Sequence, residues 1–472
     1  MKLSIQTFDD VIVRFISSDE EVQCPHMKKV MENHIFNGNE QEVYISTSEA
    51  HGIHVIVGLG KTEELSLDSL KVAGLAAGKA LQKMKKSKAT LRFTKDLGDI
   101  CAKEKALSLA EGVLNATYAF DKYKKEKFEN HLEEIGFDPD CVGDLKEEDL
   151  QELLHKWEGI IWTRDLVNIP AMDMYPEVMA KEAKKLEELG VTVKIFDKKQ
   201  IEEMGMEAYL SVARGSDKEP RFIVMEYMKG EGDPIVLVGK GVTYDSGGYS
   251  IKPSDGMKTM KCDMGGGATV MGAMKAIALA GLKKNVVAIS AACENLIDGD
   301  AYKPGDVIGS LKGLTIEVDN TDAEGRLTLA DAVCYGERTY KPKVLVDLAT
   351  LTGACLVALG EHRAGVLGNC DGCVKFFLQC AEEEGEKAWE LPATKDFKEL
   401  NKSDIADIKN TGGRFGGSSS AGCFVGTFID DCAWVHVDIA GPAFNSRPYL
   451  YQPQGGTGHM VKTLFNFVKN KK

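Results

Sequence analysis

Two carboxylates and a guanidinium lie close together in one short stretch of the sequence. Residues 320–326 contain Asp322, Glu324 and Arg326. Alternating apolar residues at 314–318 predict a half-buried strand before this stretch, and apolar residues at helical spacing follow it from Leu327 to Tyr340, which predicts a strand-to-helix junction. In an extended backbone, residues two apart share a face, so the acidic pair suits one cation or two close cations. A solvated acidic turn paired to Arg326 is the alternative interpretation.

Two further aspartates are expected near this acidic pair. Asp245 follows a predicted strand at 235–238 and a glycine-rich segment, and Asp263 precedes an apolar helical segment at 268–280. Considered separately, Asp245 is interpreted as a residue that stabilises a turn, and Asp263 as a helix N-cap. Together with the acidic pair, they supply four carboxylates that suit two divalent ions held by bridging ligands. Zinc and manganese both fit, the hard ligands favour manganese, and no HExxH motif competes.

The elements that must position these residues follow a regular alternation after about residue 165. Short β-branched runs alternate with helical segments such as 268–280 and 327–340. This pattern predicts a mixed, mostly parallel central sheet with helices on both faces, whose ligands gather at the carboxyl ends of the strands. The predicted strands span 191–196, 235–238, 286–291, 344–347 and 434–438.

The length of the chain, 472 residues, indicates two α/β domains. A strand at 53–57 and a long helical segment up to Leu81 place a smaller N-terminal α/β domain at 1–155, which ends in a charged helical linker. The larger C-terminal domain is expected at 156–472. The sequence therefore predicts an α/β fold with a small first domain and a larger second domain that contains the acidic residues.

Composition argues against several classes of partner. The net charge of −14 provides no basic field for nucleic acid or an anionic membrane. We see no signal peptide and no apolar run of transmembrane length, and the twelve cysteines have no disulfide-framework spacing, so a cytoplasmic location is expected. The single CxxC, from Cys370 to Cys373, is interpreted as a turn around Asp371-Gly372 in preference to a redox or metal site.

Three segments, 238–254, 260–266 and 320–327, resemble the signature segments of the leucyl aminopeptidase family of dinuclear metallopeptidases, also called cytosol aminopeptidases. The resemblance runs from about residue 160 to the C-terminus, and the first domain is only loosely similar. It implies an aminopeptidase that acts on peptides, uses two divalent ions, and assembles as a homohexamer. Supporting segments are 164–168, 349–354, 403–410 and 436–441.

The resemblance also implies separate roles for the metal-binding residues. Asp245 and Glu324 would bridge both ions, Lys240 and Asp263 would complete the tightly held site, and Asp322 would bind the more exchangeable ion. Lys240 would bind as a neutral amine, although an unperturbed lysine has a pKa of about 10.4. From the residues alone, Lys240 reads as an anion-binding or surface lysine.

Two cationic residues are implied to be catalytic. Water activated by the two metals would attack the first peptide carbonyl, and Lys252 would stabilise the oxyanion. Arg326 would hold a bicarbonate, cradled by backbone amides that include that of Leu351, as the general base. Taken alone, Lys252 reads as an exposed lysine and Arg326 as the ion-pair partner of Glu324.

An uncharged substrate pocket predicts preference for leucine and other apolar N-terminal residues. Met260, one of its members, could equally be core packing. Two other functions are weighed: a DNA-binding or regulatory protein, which the acidic composition argues against, and a dinuclear phosphoesterase, which has no evident need for Lys240. The residues implied to bind substrate are Met260, Asn320, Thr350, Leu351, Gly353 and Ala440.

Overall fold

The computed structural model describes residues 1–48, 52–94 and 97–471, which form two compact units. The first unit comprises Met1–Trp157 and Pro448–Pro453, and the second comprises Glu158–Arg447 and Gln454–Lys472. Both are built from sheets and helices, which confirms the predicted α/β class with two domains. The sequence did not predict that Pro448–Pro453 belongs to the first unit. The domain boundary at residue 155 stays a prediction.

The first unit contains a six-stranded, mostly parallel sheet. Its described strands lie in the order β1-β6-β5-β2-β4-β3; β3 runs antiparallel to β4, and the other neighbouring pairs are parallel. The predicted strand at 53–57 lies within β4. The strands are β1 (Lys2–Ser4), β2 (Val11–Ile16), β3 (Val43–Ser48), β4 (Gly52–Gly58), β5 (Lys88–Arg92) and β6 (Glu134–Phe137), and the helices that begin in this unit are α1 (Pro25–Glu32), α2 (Leu67–Lys83), α3 (Ala102–Asn115) and α4 (Glu147–Asn168).

The second unit is built around an eight-stranded mixed sheet in the order β15-β14-β17-β13-β9-β10-β8-β7. The four central strands β17, β13, β9 and β10 are parallel, as predicted. β9 is buried along almost its whole length, as expected for a strand covered on both faces. The strands are β7 (Thr192–Phe196), β8 (Arg221–Met228), β9 (Ile235–Asp245), β10 (Asn285–Asn295), β13 (Val344–Ala349), β14 (Ala364–Gly368), β15 (Ala388–Glu390) and β17 (Ala433–Asp438).

Two small sheets complete the second unit. The alternating segment before the acidic pair forms only a two-residue strand, which pairs over two positions with each of its neighbours. The predicted five-residue strand at 314–318 is therefore too long: the ladder covers Ile316 and Glu317, and the Val318 N–H still donates to the Asp306 carbonyl at 2.8 Å outside it. These strands are β11 (Val307–Ile308), β12 (Ile316–Glu317), β16 (Ile408–Lys409), β18 (Phe444–Asn445) and β19 (Gly455–Gly456).

Two helices carry site residues at their amino ends. α9 is apolar on nearly all sides and buried, and α10 follows the acidic pair directly. Gly266 lets α9 approach the sheet, because a Cβ there would lie 2.2 Å from the Leu348 carbonyl oxygen. The helices of this unit are α5 (Pro176–Lys184), α6 (Lys198–Glu203), α7 (Glu207–Ala213), α8 (Ser254–Met257), α9 (Gly265–Leu279), α10 (Gly325–Tyr340), α11 (Gly353–Leu359), α12 (Asp371–Glu383), α13 (Lys395–Glu399), α14 (Gly417–Gly426) and α15 (Val461–Asn470).

The register of three neighbouring strands brings their carboxyl ends together. Leu348 of β13 pairs with Gly239 of β9, and Ala349 of β13 pairs with Asp438 of β17. Polar residues at these ends therefore meet at one edge of the sheet, where ligands of α/β proteins bind. None of the helices within the described ranges combines the length and the apolar character that a bilayer crossing requires.

Candidate metal centre

A cavity of about 590 Å³ opens at this edge of the large sheet. All of the residues predicted as metal-binding, catalytic or substrate-binding line it, although they come from widely separated segments of the chain. The fold thus assembles the predicted set at one place, while the role of each residue stays a prediction. The predicted residues along the cavity are Lys240, Asp245, Lys252, Met260, Asp263, Asn320, Asp322, Glu324, Arg326, Thr350, Leu351, Gly353 and Ala440.

Three carboxylates converge tightly within this cavity. One oxygen each from Asp245, Asp322 and Glu324 lies within 4.8 Å of the others, an arrangement that can hold a metal ion. Asp245 ends β9, whereas Asp322 lies in a turn and Glu324 has helical backbone angles directly before α10. The extended backbone assumed for this acidic pair is therefore wrong, and the turn itself brings the two side chains together.

Asp263 is the fourth carboxylate, and it does not cap a helix. It lies in a single 3₁₀ turn, Met260–Met264, and α9 begins without a side-chain cap. Its Oδ1 instead accepts hydrogen bonds from Lys240 Nζ at 2.7 Å and Thr350 Oγ1 at 2.7 Å. The N-cap interpretation is therefore wrong, and Asp263 belongs to the polar cluster.

Lys240 is buried in the centre of the cluster, with 3% of its side chain exposed. Its Nζ donates hydrogen bonds to Asp263 and, at 2.9 Å, to the Thr350 carbonyl, and it lies 2.8 Å from Glu324 Oε1. Burial by itself lowers the pKa of Lys240, but the charges of Asp263 and Glu324 outweigh it and hold the pKa above its usual value. The surface-lysine alternative is wrong, because three acceptors satisfy its three ammonium hydrogens inside the protein.

Lys252 bridges the other two carboxylates. Its Nζ lies 2.8 Å from Asp245 Oδ2 and 2.6 Å from Asp322 Oδ1, and only 18% of its side chain is exposed. Burial lowers the pKa of Lys252, but the charges of Asp245, Glu324 and Asp322 outweigh it and raise the pKa overall. Two ammonium groups therefore face four carboxylates, which leaves the cluster negatively charged.

Several carboxylate oxygens of the cluster are available to a cation. Among the described residues, Asp263 Oδ2 and Glu324 Oε2 are buried and have no hydrogen-bond partner. Burial raises the pKa of both carboxyl groups, and burial together with the charge of Glu324 raises the pKa of Asp245 to about 6. Buried polar atoms are normally satisfied, so this donor set fits bound divalent ions.

Arg326 lies in the first turn of α10 and is 8% exposed. It donates a hydrogen bond to the Asn410 carbonyl at 2.7 Å, while its buried Nε has no partner within the described ranges. Burial lowers the pKa of Arg326 to about 10. The described residues include no ion pair between Arg326 and Glu324, so the counter-ion interpretation is not supported. A buried guanidinium with an unused donor suits a small anion such as bicarbonate.

Asp438 and Asn410 organise the site but were given no role from the sequence. Asp438 Oδ1 accepts the Leu351 backbone N–H at 3.2 Å, so an amide expected to cradle an anion is already engaged. Asn410 Nδ2 donates to the Asn320 carbonyl at 2.7 Å and thereby fixes the loop that carries the acidic pair. Both residues lie within segments that carry the family resemblance, which was the available signal.

A buried aspartate–histidine pair lies close to Asp438, because its histidine, His436, is two residues before Asp438 in β17. His436 Nδ1 is 2.6 Å from Asp347 Oδ1, and Trp434 Nε1 donates to Asp347 Oδ2 at 2.6 Å. Among the described residues, His436 Nε2 has no hydrogen-bond partner. Burial lowers the pKa of His436, but the charge of Asp347 outweighs it and raises the pKa overall. The sequence pattern that predicts the strand at 434–438 did not indicate that His436 pairs with Asp347.

The residues predicted to bind substrate lie along the same cavity. Met260 is half-buried and lines the cavity, so it is not simply core, and a Cβ added to Gly353 would meet no atom within 4 Å. Apolar Leu356 and Phe444 also line the cavity, and so do two charged residues that the expectation of an uncharged pocket did not include. These charged residues are Glu361 and Arg414.

Comparison with known families covers both units. Residues 161–465 match the catalytic domain of the cytosol aminopeptidase family, and residues 16–127 match its N-terminal domain. The family relationship therefore extends into the first unit, where the sequence had shown only a loose resemblance.

Similar proteins agree along the length of the chain. A probable cytosol aminopeptidase of Treponema denticola is 43% identical over 477 positions and covers 100% of both chains, and one of Clostridium perfringens is 46% identical, covering 88% of this chain and 86% of its own. The bottromycin maturation enzyme BotP in complex with Mn has a TM-score of 0.87 and 30% identity, covering 98% and 99% of the two chains. A tomato leucine aminopeptidase mutant has a TM-score of 0.89 and 30% identity, covering 100% and 97%. The chain belongs to the cytosol aminopeptidase family and is an aminopeptidase, a hydrolase of peptides.

Proposed function

We propose that this enzyme is a metal-dependent aminopeptidase that releases leucine and other apolar residues from the N-termini of peptides. The observation that carries the proposal is the cluster of four carboxylates around two lysines, three of whose carboxylates are buried. In it, Asp263 Oδ2 and Glu324 Oε2 lack a hydrogen-bond partner among the described residues. The residues proposed to hold two divalent ions are Lys240, Asp245, Asp263, Asp322 and Glu324.

Manganese and zinc are the proposed ions. Carboxylate oxygens are hard ligands and favour manganese, and the structurally similar bottromycin maturation enzyme was solved in complex with Mn. When bound, such ions lower the pKa of a coordinated water towards 7 and polarise the substrate carbonyl. Loading the site would require Lys240 to lose its proton, so metal binding is expected to release protons.

Lys252 is proposed to stabilise the oxyanion that develops on the scissile carbonyl. Its ammonium group lies beside Asp245 and Asp322 on the wall of the cavity. Asp263 is proposed to take part in holding the free α-amine of the substrate, which restricts cleavage to the first residue. One preorganised oxyanion donor is worth roughly 3 to 4 kcal/mol of transition-state stabilisation.

Arg326 is proposed to hold bicarbonate as the proton acceptor. Its buried Nε is an unused donor, and a guanidinium remains charged at neutral pH even when its pKa falls to about 10. Arg326 would thus position the anion without itself exchanging a proton. Asn410 supports this role because its carbonyl accepts from the same guanidinium and orients it.

The test combines metal analysis with peptide hydrolysis for the wild type and Asp322→Ala. We expect the wild type to hold two equivalents of manganese or zinc and to hydrolyse leucine amide faster than glutamate amide. Asp322→Ala should lose one equivalent, and its kcat/KM should fall more than about a hundredfold because the position is a direct ligand. Asp319→Ala, which removes an exposed carboxylate from the same loop, is the matched control and should keep both ions. Full activity with two ions in Asp322→Ala would refute the metal assignment.

A further inference from the structure

Cys370 and Cys373 form a close thiol pair that the peptidase site does not use. Cys370 directly precedes α12, and Cys373 lies in the first turn of that helix. Their Sγ atoms are 2.8 Å apart, and Cys370 is partly exposed whereas Cys373 is buried. The intervening Asp371 and Gly372 are helical, so the turn interpretation of this motif is wrong.

The surroundings of the two sulfurs differ. The backbone N–H of Cys373 donates to Cys370 Sγ at 3.4 Å, and Lys471 Nζ donates to Cys373 Sγ at 3.3 Å. The hydrogen bond with the Cys373 side chain, followed by this backbone N–H and the charge of Lys471, lowers the pKa of Cys370. Burial raises the pKa of Cys373. The partly exposed sulfur of Cys370 therefore ionises more readily, whereas the buried sulfur of Cys373 stays protonated more readily. A redox dithiol combines one sulfur of each kind.

We propose that Cys370 and Cys373 form a redox-active dithiol that exchanges with low-molecular-weight disulfides. The Cys370 thiolate attacks one sulfur of the disulfide RSSR, which breaks the S–S bond, releases RS⁻ and forms a mixed disulfide. Cys373 then loses its proton and attacks the Cys370 sulfur, which releases the second RS⁻ and closes the Cys370–Cys373 disulfide. The protein dithiol is oxidised by two electrons, RSSR is reduced to two RSH, and the two thiol protons pass to the two leaving thiolates.

The dithiol lies away from the metal centre. β14 runs antiparallel to β17, with Gly365 paired to Asp438 and Gly368 paired to Val435. Cys370 follows the end of β14 that points away from Asp438 and hence from the cavity. Oxidation of the pair is therefore expected to leave hydrolysis of peptides unchanged.

Cys101 provides an internal comparison for helix position alone. It also directly precedes a long helix, α3, is exposed, and accepts the Glu104 backbone N–H at 3.5 Å. Within the described residues, the contacts of the Cys101 sulfur include no second cysteine sulfur and no lysine side chain. If Cys370 reacts faster than Cys101, the difference is therefore attributed to the neighbouring Cys373 thiol and to Lys471.

The experiment exposes the full-length enzyme to glutathione disulfide, quenches with iodoacetamide, and maps the products by peptide mass spectrometry. We expect the wild type to form the Cys370–Cys373 disulfide with two glutathione thiols released per chain. Cys373→Ser should stop at a mixed disulfide on Cys370, and Cys370→Ser should leave Cys373 reduced. Cys370 should react more than about tenfold faster than Cys101. Unchanged hydrolysis of leucine amide would show that both variants are folded.

The contribution of Lys471 is tested by Lys471→Gln against Lys471→Arg. The glutamine variant should slow the attack of Cys370, and the arginine variant, which keeps the charge, should retain most of the rate. The proposal is overturned if Cys370 reacts no faster than Cys101, or if Cys373→Ser yields no mixed disulfide while Cys101 is modified.

Discussion

Protonation of a single buried histidine is expected to make the stability of this enzyme depend on pH. The paired charge of Asp347 raises the pKa of His436 above its unfolded value despite burial. A raised pKa contributes stability that is fully present below the unfolded pKa of about 6.5 and is lost as pH rises through the folded pKa. The imidazolium of His436 therefore stabilises the fold most at acidic pH.

The test compares urea unfolding of the wild type and His436→Asn from pH 6 to pH 9. Breaking a buried pair costs about 3 to 5 kcal/mol, so the variant should be destabilised by about that amount at pH 6 and by less at pH 9. His34→Asn, at an exposed histidine, should show no such trend. A difference between wild type and His436→Asn that is constant over this pH range would contradict the assignment.

Individual site residues differ in how far the sequence could predict them. Asp322 and Glu324 were recognisable because they lie two apart in one acidic stretch. Lys240 was recognisable only through family resemblance, because its burial depends on Asp263 and Glu324, which are distant in sequence. Asp438 received no role, since its function is to accept backbone N–H groups that only the folded loop directs towards it.

Close contact between α9 and the central sheet depends on one glycine. A Cβ at position 266 would lie 2.2 Å from the Leu348 carbonyl oxygen and 2.8 Å from the Lys240 backbone nitrogen. Because both neighbours are backbone atoms, Gly266→Ala should shift the helix and destabilise the protein by about 3 kcal/mol. It should also weaken the proposed metal binding, because a shift of the helix would move Lys240 and Asp263 apart.

Denaturant unfolding and metal titration of Gly266→Ala measure the two effects. Gly256→Ala is the matched control, because the nearest atom to a Cβ there is 3.9 Å away, and it should leave both quantities unchanged. Wild-type stability in Gly266→Ala would show that the helix does not need this contact.

Among the elements, those with strong periodicity were predictable and those held by sparse pairing were not. The helices at 268–280 and 327–340 lie close to α9 and α10, and the strand at 434–438 lies within β17. The strand predicted at 314–318 corresponds to the two-residue strand β12, because β11 and β16 each pair with it in register over Ile316 and Glu317. Alternation of apolar residues indicates that one face of a segment is buried. The length of a strand also depends on how far a neighbouring strand pairs with its backbone.

The resemblance to the leucyl aminopeptidase family implies a homohexamer, and we predict this assembly for the whole molecule. Several large apolar side chains of the second unit are exposed, among them Val357 at 90% and Phe415 at 83%, as expected for surfaces that pack against other subunits. Analytical ultracentrifugation should give a particle of six chains. Val357→Glu should shift the distribution towards smaller species, whereas Lys375→Glu, on an exposed helix position, should not. A wild type that sediments as a single chain would refute this prediction.

Because Pro448–Pro453 belongs to the first unit, that unit can be completed only late in synthesis of the chain. Tyr451 from this segment accepts a hydrogen bond from Lys71 at 3.5 Å, and Lys71 also lies 3.5 Å from Glu111. At about 5 to 20 residues per second, the roughly 300 residues between Trp157 and this segment take about 15 to 60 s to translate. The first unit, which leaves the ribosome before the second, is therefore completed late. During that interval the nascent chain carries Lys71 beside Glu111 but without its tyrosine partner.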